Sequence, residues 1–369
     1  MPRRPLLALS LLATACGSPG WRAASPRAAP SPPRSGHLAC ADGDGRVWLF
    51  GGYAEVRRDG PRHLPIALER EPTDDLWLFD GEGWSCVAPP SAGGEDARPG
   101  PRLCSAGAVV DGELLLFGGW DPRPAGTGGA ILGDAWALDL KTRVWRRLAD
   151  MPRGPTSRHV ACRVGDHLLV HTHRCASALL RWDRAAGRLV EQPTTGDAPS
   201  ARGLHVAAAL SAHEMLVFGG ASQAGAMSDE AFILDTRSWA WSAVRGAGAG
   251  PSPRAGAAAA AAGDGRAVVF GGAERAARGG GGLLARGDAW LFEAGRAGQP
   301  PCWSLLAADA PAGGTTARPR ARNAATLSPL APAPGGAPRL LLHGGWQPFV
   351  ETYGDTHVLE LSPSTPPLS

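Results

Sequence analysis

One string constrains this chain more than any other: two apolar residues, a phenylalanine and a glycine doublet, repeated along its length. It reads Trp48-Leu49-Phe50-Gly51-Gly52, Leu115-Leu116-Phe117-Gly118-Gly119, Leu216-Val217-Phe218-Gly219-Gly220 and Val268-Val269-Phe270-Gly271-Gly272, with Leu341-Leu342-His343-Gly344-Gly345 as a fifth copy. Upstream of each stands an arginine (Arg34, Arg102, Arg202, Arg254 and Arg320), 17, 16, 17, 17 and 24 residues before the first glycine. Such an interval holds two short strands and a turn, and self-similarity at this period marks a supersecondary unit that buries its core only against its neighbours.

Downstream of each doublet comes an acid, an aromatic and a second acid: Asp75/Trp77/Asp80, Asp134/Trp136/Asp139, Glu230/Phe232/Asp235 and Asp288/Trp290/Glu293. The last unit keeps the acids but not the aromatic, as Asp355/His357/Glu360, and a tryptophan follows at Trp84, Trp145, Trp241 and Trp303. Each unit therefore reads as four strands, a to d. A worn unit lies between the second and third copies: Ser157-Arg158-His159 opens it, His171-Thr172-His173 replaces the doublet, and Leu180, Asp183 and Leu189 stand for aromatic, acid and tryptophan. Composition agrees. With 51 Gly and 34 Pro in 369 residues the chain is too broken for a helical protein, while 44% hydrophobic residues and 13 Trp are too many for a disordered one.

These repeats resemble those of kelch-repeat proteins, over about residues 20–364. The resemblance implies an all-β fold, a six-bladed β-propeller, with blades at 33–90, 101–150, 157–193, 201–246, 253–308 and 319–364. Blade six has no tryptophan strand after Glu360, but Trp21 precedes Arg34 by 13 residues, the spacing from Trp145 to Arg158 and from Trp241 to Arg254. Residues 21–24 are therefore expected to complete blade six and close the ring. The doublets Gly51/Gly52, Gly118/Gly119, Gly219/Gly220, Gly271/Gly272 and Gly344/Gly345 suit a backbone with positive φ and let blades approach closely.

In a four-stranded blade the b-to-c and d-to-a connections share one face. The b-to-c connections are long and variable, and long loops on a rigid scaffold are where binding sits. This face is expected to bind a protein or peptide, without enzymatic activity and without a cofactor. Tyr53, Trp120 and Trp346 follow the doublets of blades one, two and six, placed either to anchor a partner or to pack beneath their own loops. Arg57, Arg58, Arg62, Arg123, Arg275, Arg278 and Arg286 lie in the same loops and suit an acidic peptide, or are simply a solvated surface in an arginine-rich chain. Glu55, Asp59 and His63 resemble the iron-ligand spacing of plant specifier kelch proteins, giving a metal-dependent alternative; a glycan ligand on Trp120 and Trp346 is another. His171-Thr172-His173 with Cys175 is a second metal-like pattern. A galactose-oxidase-like copper site, which that family builds from tyrosines, has only Tyr53 and Tyr353 to draw on.

Net charge is +3, which points away from nucleic acid. Arg3 and Arg4 followed by the apolar run from Leu6 to Ala15 are similar to a secretory signal; the run is too short to span a bilayer, and export is expected, with cytoplasmic or organellar placement as alternatives. Seven scattered cysteines form no disulfide framework. Residues 1–19 and 365–369 fall outside the repeats.

Overall fold

The computed structural model describes residues 20–24, 32–57, 68–88, 98–124, 126, 128–175, 177–276, 282–295, 298–309 and 318–362. Among these every regular element is a strand, and no helix is long and apolar enough to cross a membrane. Six antiparallel sheets of four main strands form the six blades of a propeller. Blade one runs Leu38–Ala41, Val47–Arg57, Leu68–Phe79 and Trp84–Cys86. Blade two runs Ala106–Val110, Glu113–Asp121, Ala130–Asp139 and Trp145–Leu148. Blade three runs Val160–Val164, His167–His171, Ala178–Asp183 and Arg188–Pro193. Blade four runs Val206–Ala209, Glu214–Phe218, Ala231–Asp235 and Ala240–Ala243, with Thr195–Gly196 added outside. Blade five runs Ala258–Gly263, Arg266–Phe270, Ala289–Glu293 and Cys302–Ala307.

Blade six takes Thr326–Leu330, Arg339–His343 and Thr356–Glu360 from the C-terminal end of the chain and Gly20–Ala23 from the N-terminal end. Trp21 pairs with Leu359 and Ala23 with His357, so the ring closes as the tryptophan spacing requires. This closure ties the two ends of the chain into one sheet and covers the edge of Thr356–Glu360 with a fourth strand, as in the other blades.

The core is divided among the six junctions rather than gathered in one place. Side chains alternate across each b strand: Leu115 and Phe117 face blade three, while Leu114 and Leu116 face blade one. Equivalent clusters fill the other four junctions, including Val47, Leu49 and Trp84 against Leu341 and Val358 between blades one and six. Burial on both faces is why these strands read as unbroken apolar runs.

An aromatic contact repeats at every junction. A tryptophan of one blade meets the phenylalanine position of the blade before it: Trp145 on Phe50 at 5.3 Å, Trp303 on Phe218 at 5.0 Å and Trp21 on Phe270 at 5.2 Å. Histidine takes the phenylalanine's place twice, under Trp241 (His171, 5.7 Å) and Trp84 (His343, 4.9 Å). Leu189 leaves blade three without its tryptophan, and Trp182 from strand c covers Phe117 instead, at 6.2 Å.

The doublet glycines stand where the blades come closest. Gly344 has φ +64°, and a Cβ there would lie 2.6 Å from the Arg34 carbonyl oxygen. Its neighbour Gly345 donates its N–H to that same oxygen at 2.9 Å.

Candidate functional site

The repeat arginines and acids, which look in sequence like an array of site charges, are bonded to each other inside five of the six blades. Arg102 grips Asp134 through two bonds of 2.6 and 2.8 Å and also donates to the Gly118 carbonyl at 3.2 Å. Arg34 holds Asp75 and Arg254 holds Asp288 in the same way, and Arg202 reaches Glu230 at 2.8 Å. Arg322, and not Arg320, is the copy in blade six: it is fully buried and pairs with Asp355. Burial alone would raise the carboxyl pKa of Asp134 and Asp288, but the arginine bonds outweigh it and hold both below the ordinary range. The aromatic donates to the same acid, Trp136 at 2.7 Å and Trp290 at 2.8 Å; His357 does this for Asp355 at 2.9 Å. In blades one to four the second acid serves its own c-to-d turn, as Asp139 does by accepting the N–H groups of Lys141 and Thr142.

Blade three departs from this pattern. Thr156, not Arg158, stands where the repeat arginine does, since its carbonyl accepts the Gly119 N–H at 2.9 Å as the Arg254 carbonyl accepts that of Gly220. Ala178 stands where the acid does, by register against strand b. Both charges are absent together, which avoids leaving one of them buried alone.

Arg158 belongs to a different ring, at the mouth of the axial channel. Six backbone hydrogen bonds close it: Gly36 N–H to Ala324 O (2.9 Å), Cys104 to Gly36 (2.7 Å), Arg158 to Cys104 (3.0 Å), Leu204 to Arg158 (2.8 Å), Gly256 to Leu204 (2.8 Å) and Ala324 to Gly256 (2.8 Å). All six residues have φ between +51° and +67°. Together with the residue following each of them they line an axial cavity of 110 Å³.

Around this mouth the b-to-c connections present the candidate residues. The Arg70 guanidinium lies 4.5 Å from the Tyr53 ring and 5.0 Å from the Trp346 ring, and donates to Ser35 Oγ at 2.5 Å. Burial lowers its pKa from the ordinary arginine value, against the opposing influence of Tyr53 and Glu55. Trp120 packs beneath its own loop, its Nε1 donating to Gly128 O at 3.1 Å, with Arg158 over its ring at 5.8 Å. Arg123 pairs with Asp121, Arg286 with Glu274 and Asp309, and Arg275 donates to Gly225 O at 3.1 Å. Arg58, Arg62 and Arg278 lie outside the described residues, as does the side chain of Arg57.

Asp59 and His63 also lie outside them, and Glu55 Oε1 accepts the Thr352 N–H at 3.1 Å. His171 and His173 do not share one side of a strand: His171 ends strand b, 3.0 Å from His205, while His173 sits in the following turn. No three His, Cys, Asp or Glu side chains among the described residues gather as a metal set. The six described cysteines are unpaired, and Cys40, Cys162 and Cys175 are buried.

Sequence reasoning passed over Arg70, Arg158 as a mouth residue, and the exposed Ile131, Leu283, Leu284, Phe349 and Val350. The one local signal was Pro348-Phe349, a turn signature with an aromatic at its tip.

Comparison with known proteins agrees with this architecture. The KLHDC2/KLHL20/DRC7 Kelch-repeats domain model matches residues 10–180 and again 170–365. The chain belongs to the kelch-repeat β-propeller family. It is similar to Host cell factor 1 of Rattus norvegicus, 28% identical over an alignment of 222 positions that covers 51% of this chain and 10% of that protein. It is also similar to Kelch domain-containing protein 1 of Homo sapiens, 27% identical over 128 residues, 33% of this chain and 27% of that one. The matched region is thus about a tenth of the Host cell factor 1 relatives. A solved structure titled "Structure of YjhT" superposes with a TM-score of 0.60 over 90% of this chain and 95% of that one at 17% identity, a likeness of fold.

Proposed function

We propose that this propeller is a non-enzymatic binding module that docks a protein or peptide on its b-to-c face. One observation carries the reading. Of the seven large apolar side chains exposed among the described residues, four (Leu283, Leu284, Phe349 and Val350) lie on b-to-c connections, and a fifth, Ile131, lies at the connection end of strand c of blade two. Val144, on a c-to-d turn, and Leu305, on an outer strand, are the others. Exposed apolar side chains gathered on one rim of a rigid scaffold favour partner contact. The internal pairing of the repeat arginines with the acids supports the same reading: the charges that recur in every sound blade are structural, so specificity falls to the loops.

Capture of partners from the cell of origin tests this, comparing wild type with Leu284→Asp, Phe349→Asp and Val144→Asp. A protein retained by wild type and Val144→Asp but lost with the two b-to-c variants is the expected outcome. Equal loss with Val144→Asp, or no difference among the four, would overturn the assignment of the face.

A further inference from the structure

We propose that the arc of the mouth from blade six through blades one and two to blade three is a groove for an extended proline-rich segment bearing an acidic residue. This rests on the b-to-c face being the docking face and names what it takes.

The first observation is Phe349. Val350 N–H donates to Gln347 O at 3.0 Å, and Phe349 has φ +60°. Proline at the second position and positive φ at the third define a type II turn, whose third position favours glycine. Here a phenylalanine occupies it with 92% of its surface exposed, held edge-on to Trp346 at 6.0 Å. Backbone strain kept for an exposed aromatic points to contact with a ligand.

Tyr53, the Arg70 guanidinium, Trp346 and Phe349 then form a continuous stacked row across blades one and six. The two rings lie 4.5 and 5.0 Å from the Arg70 guanidinium between them, so their centroids are no further apart than about one three-residue turn of polyproline II helix, about 9 Å. Such a helix leaves all its carbonyls unbonded and docks on aromatic grooves. Among the described residues Tyr53 Oη and Trp346 Nε1 have no hydrogen-bond partner, whereas Trp120 and Tyr353 spend their donors on Gly128 and Gln347.

Charge complementarity supplies the acidic residue. Arg98, Arg123, Arg286 and Arg320 each have a carboxylate partner. Arg158 is exposed and has none among the described residues, and it occupies a ring position that blades one and five fill with Gly36 and Gly256. On the far side of the mouth Ala221 and Ala273 replace the aromatics, so the row runs only towards blade three.

The intact protein is titrated, by tryptophan fluorescence and calorimetry, with a proline decapeptide ending in two glutamates, the same peptide ending in two lysines, and a Gly/Ser peptide ending in two glutamates. Saturable binding of the acidic proline peptide, at least about tenfold weaker binding of the other two, and a further loss of about tenfold in Phe349→Gly are expected. Arg158→Gly is expected to abolish the preference for glutamate over lysine. Both glycine variants should melt no lower than wild type, because glycine relieves the positive φ. Absence of binding to either proline peptide, equal binding of the Gly/Ser peptide, or a lower melting temperature of Phe349→Gly would each overturn the proposal. If the proline peptides fail while Leu284→Asp and Phe349→Asp still lose a captured protein, the groove's ligand is misassigned and the docking face stands. If both fail, both readings fall.

Discussion

Closure of the ring by Trp21 is open to a quantitative test. Trp21 meets Phe270 at 5.2 Å, as Trp303 meets Phe218 at 5.0 Å, and its strand pairs through Gly20–Ala23 with His357–Glu360. Replacing a packed tryptophan by alanine costs about 3–5 kcal/mol, and the partial exposure of Trp21 places it near the lower end. With an unfolding entropy of about 2.1 cal/mol/K per residue, each kcal/mol moves the melting temperature of a ring this long by about 1.5 °C, so Trp21→Ala should melt about 4–5 °C lower. A chain starting at residue 25 loses the whole strand and also the Ala24 N–H bond to Thr356 O at 2.9 Å. At about 1 kcal/mol net per backbone bond, the total reaches about 5 kcal/mol or more, comparable to the whole stability of many domains. Calorimetry of chains starting at residues 17 and 25, beside Trp21→Ala and Trp303→Ala, measures this. Equal melting of the two chain lengths would refute the closure, because the blade would then be complete without its N-terminal strand.

Other consequences follow from the same geometry. Arg254→Gln should cost about 3–5 kcal/mol by leaving Asp288 buried without its cation, while Arg254→Thr with Asp288→Ala, the arrangement of Thr156 and Ala178 in blade three, should cost less than either single change; a denaturant double-mutant cycle checks it. Burial lowers the pKa of His171 to about 4 and of His343 to about 3, so native protein binds fewer protons than unfolded chain below pH 6.5 and loses stability as pH falls through that range. His171→Phe, which restores the residue used in four other blades, should remove up to about 3 kcal/mol of that acid sensitivity between pH 6.5 and 4, read from urea melts at the two pH values. Gly344→Ala should destabilise by well over the ~1 kcal/mol expected of Gly246→Ala: both have positive φ, but only at Gly344 does a Cβ meet a backbone oxygen at 2.6 Å.

The scaffold was legible in the sequence because each blade repeats the same physical solution. Phe117, Gly118 and Trp145 recur at fixed spacing since each junction needs a stacked pair and a close backbone approach, and Trp21 could be placed by spacing alone. The pairing of Arg102 with Asp134 was harder to see, since the partners lie 32 residues apart and only the blade brings them together. Two arginines were misread for the same reason. Arg158 and Arg320 each sit two residues from the position that counts, which backbone bonds of Thr156 and the burial of Arg322 reveal. The loops carry no repeat, so Phe349 and Arg70 acquire meaning only from their neighbours in space.

The central claim is that partners dock on the b-to-c face, and amide hydrogen exchange with and without a captured partner tests it most directly. New protection at residues 120–131, 273–285 and 346–353 is the predicted result. Protection confined to the c-to-d turns at 80–84, 139–145 and 235–240 would contradict the account, since those turns lie on the opposite face of the ring.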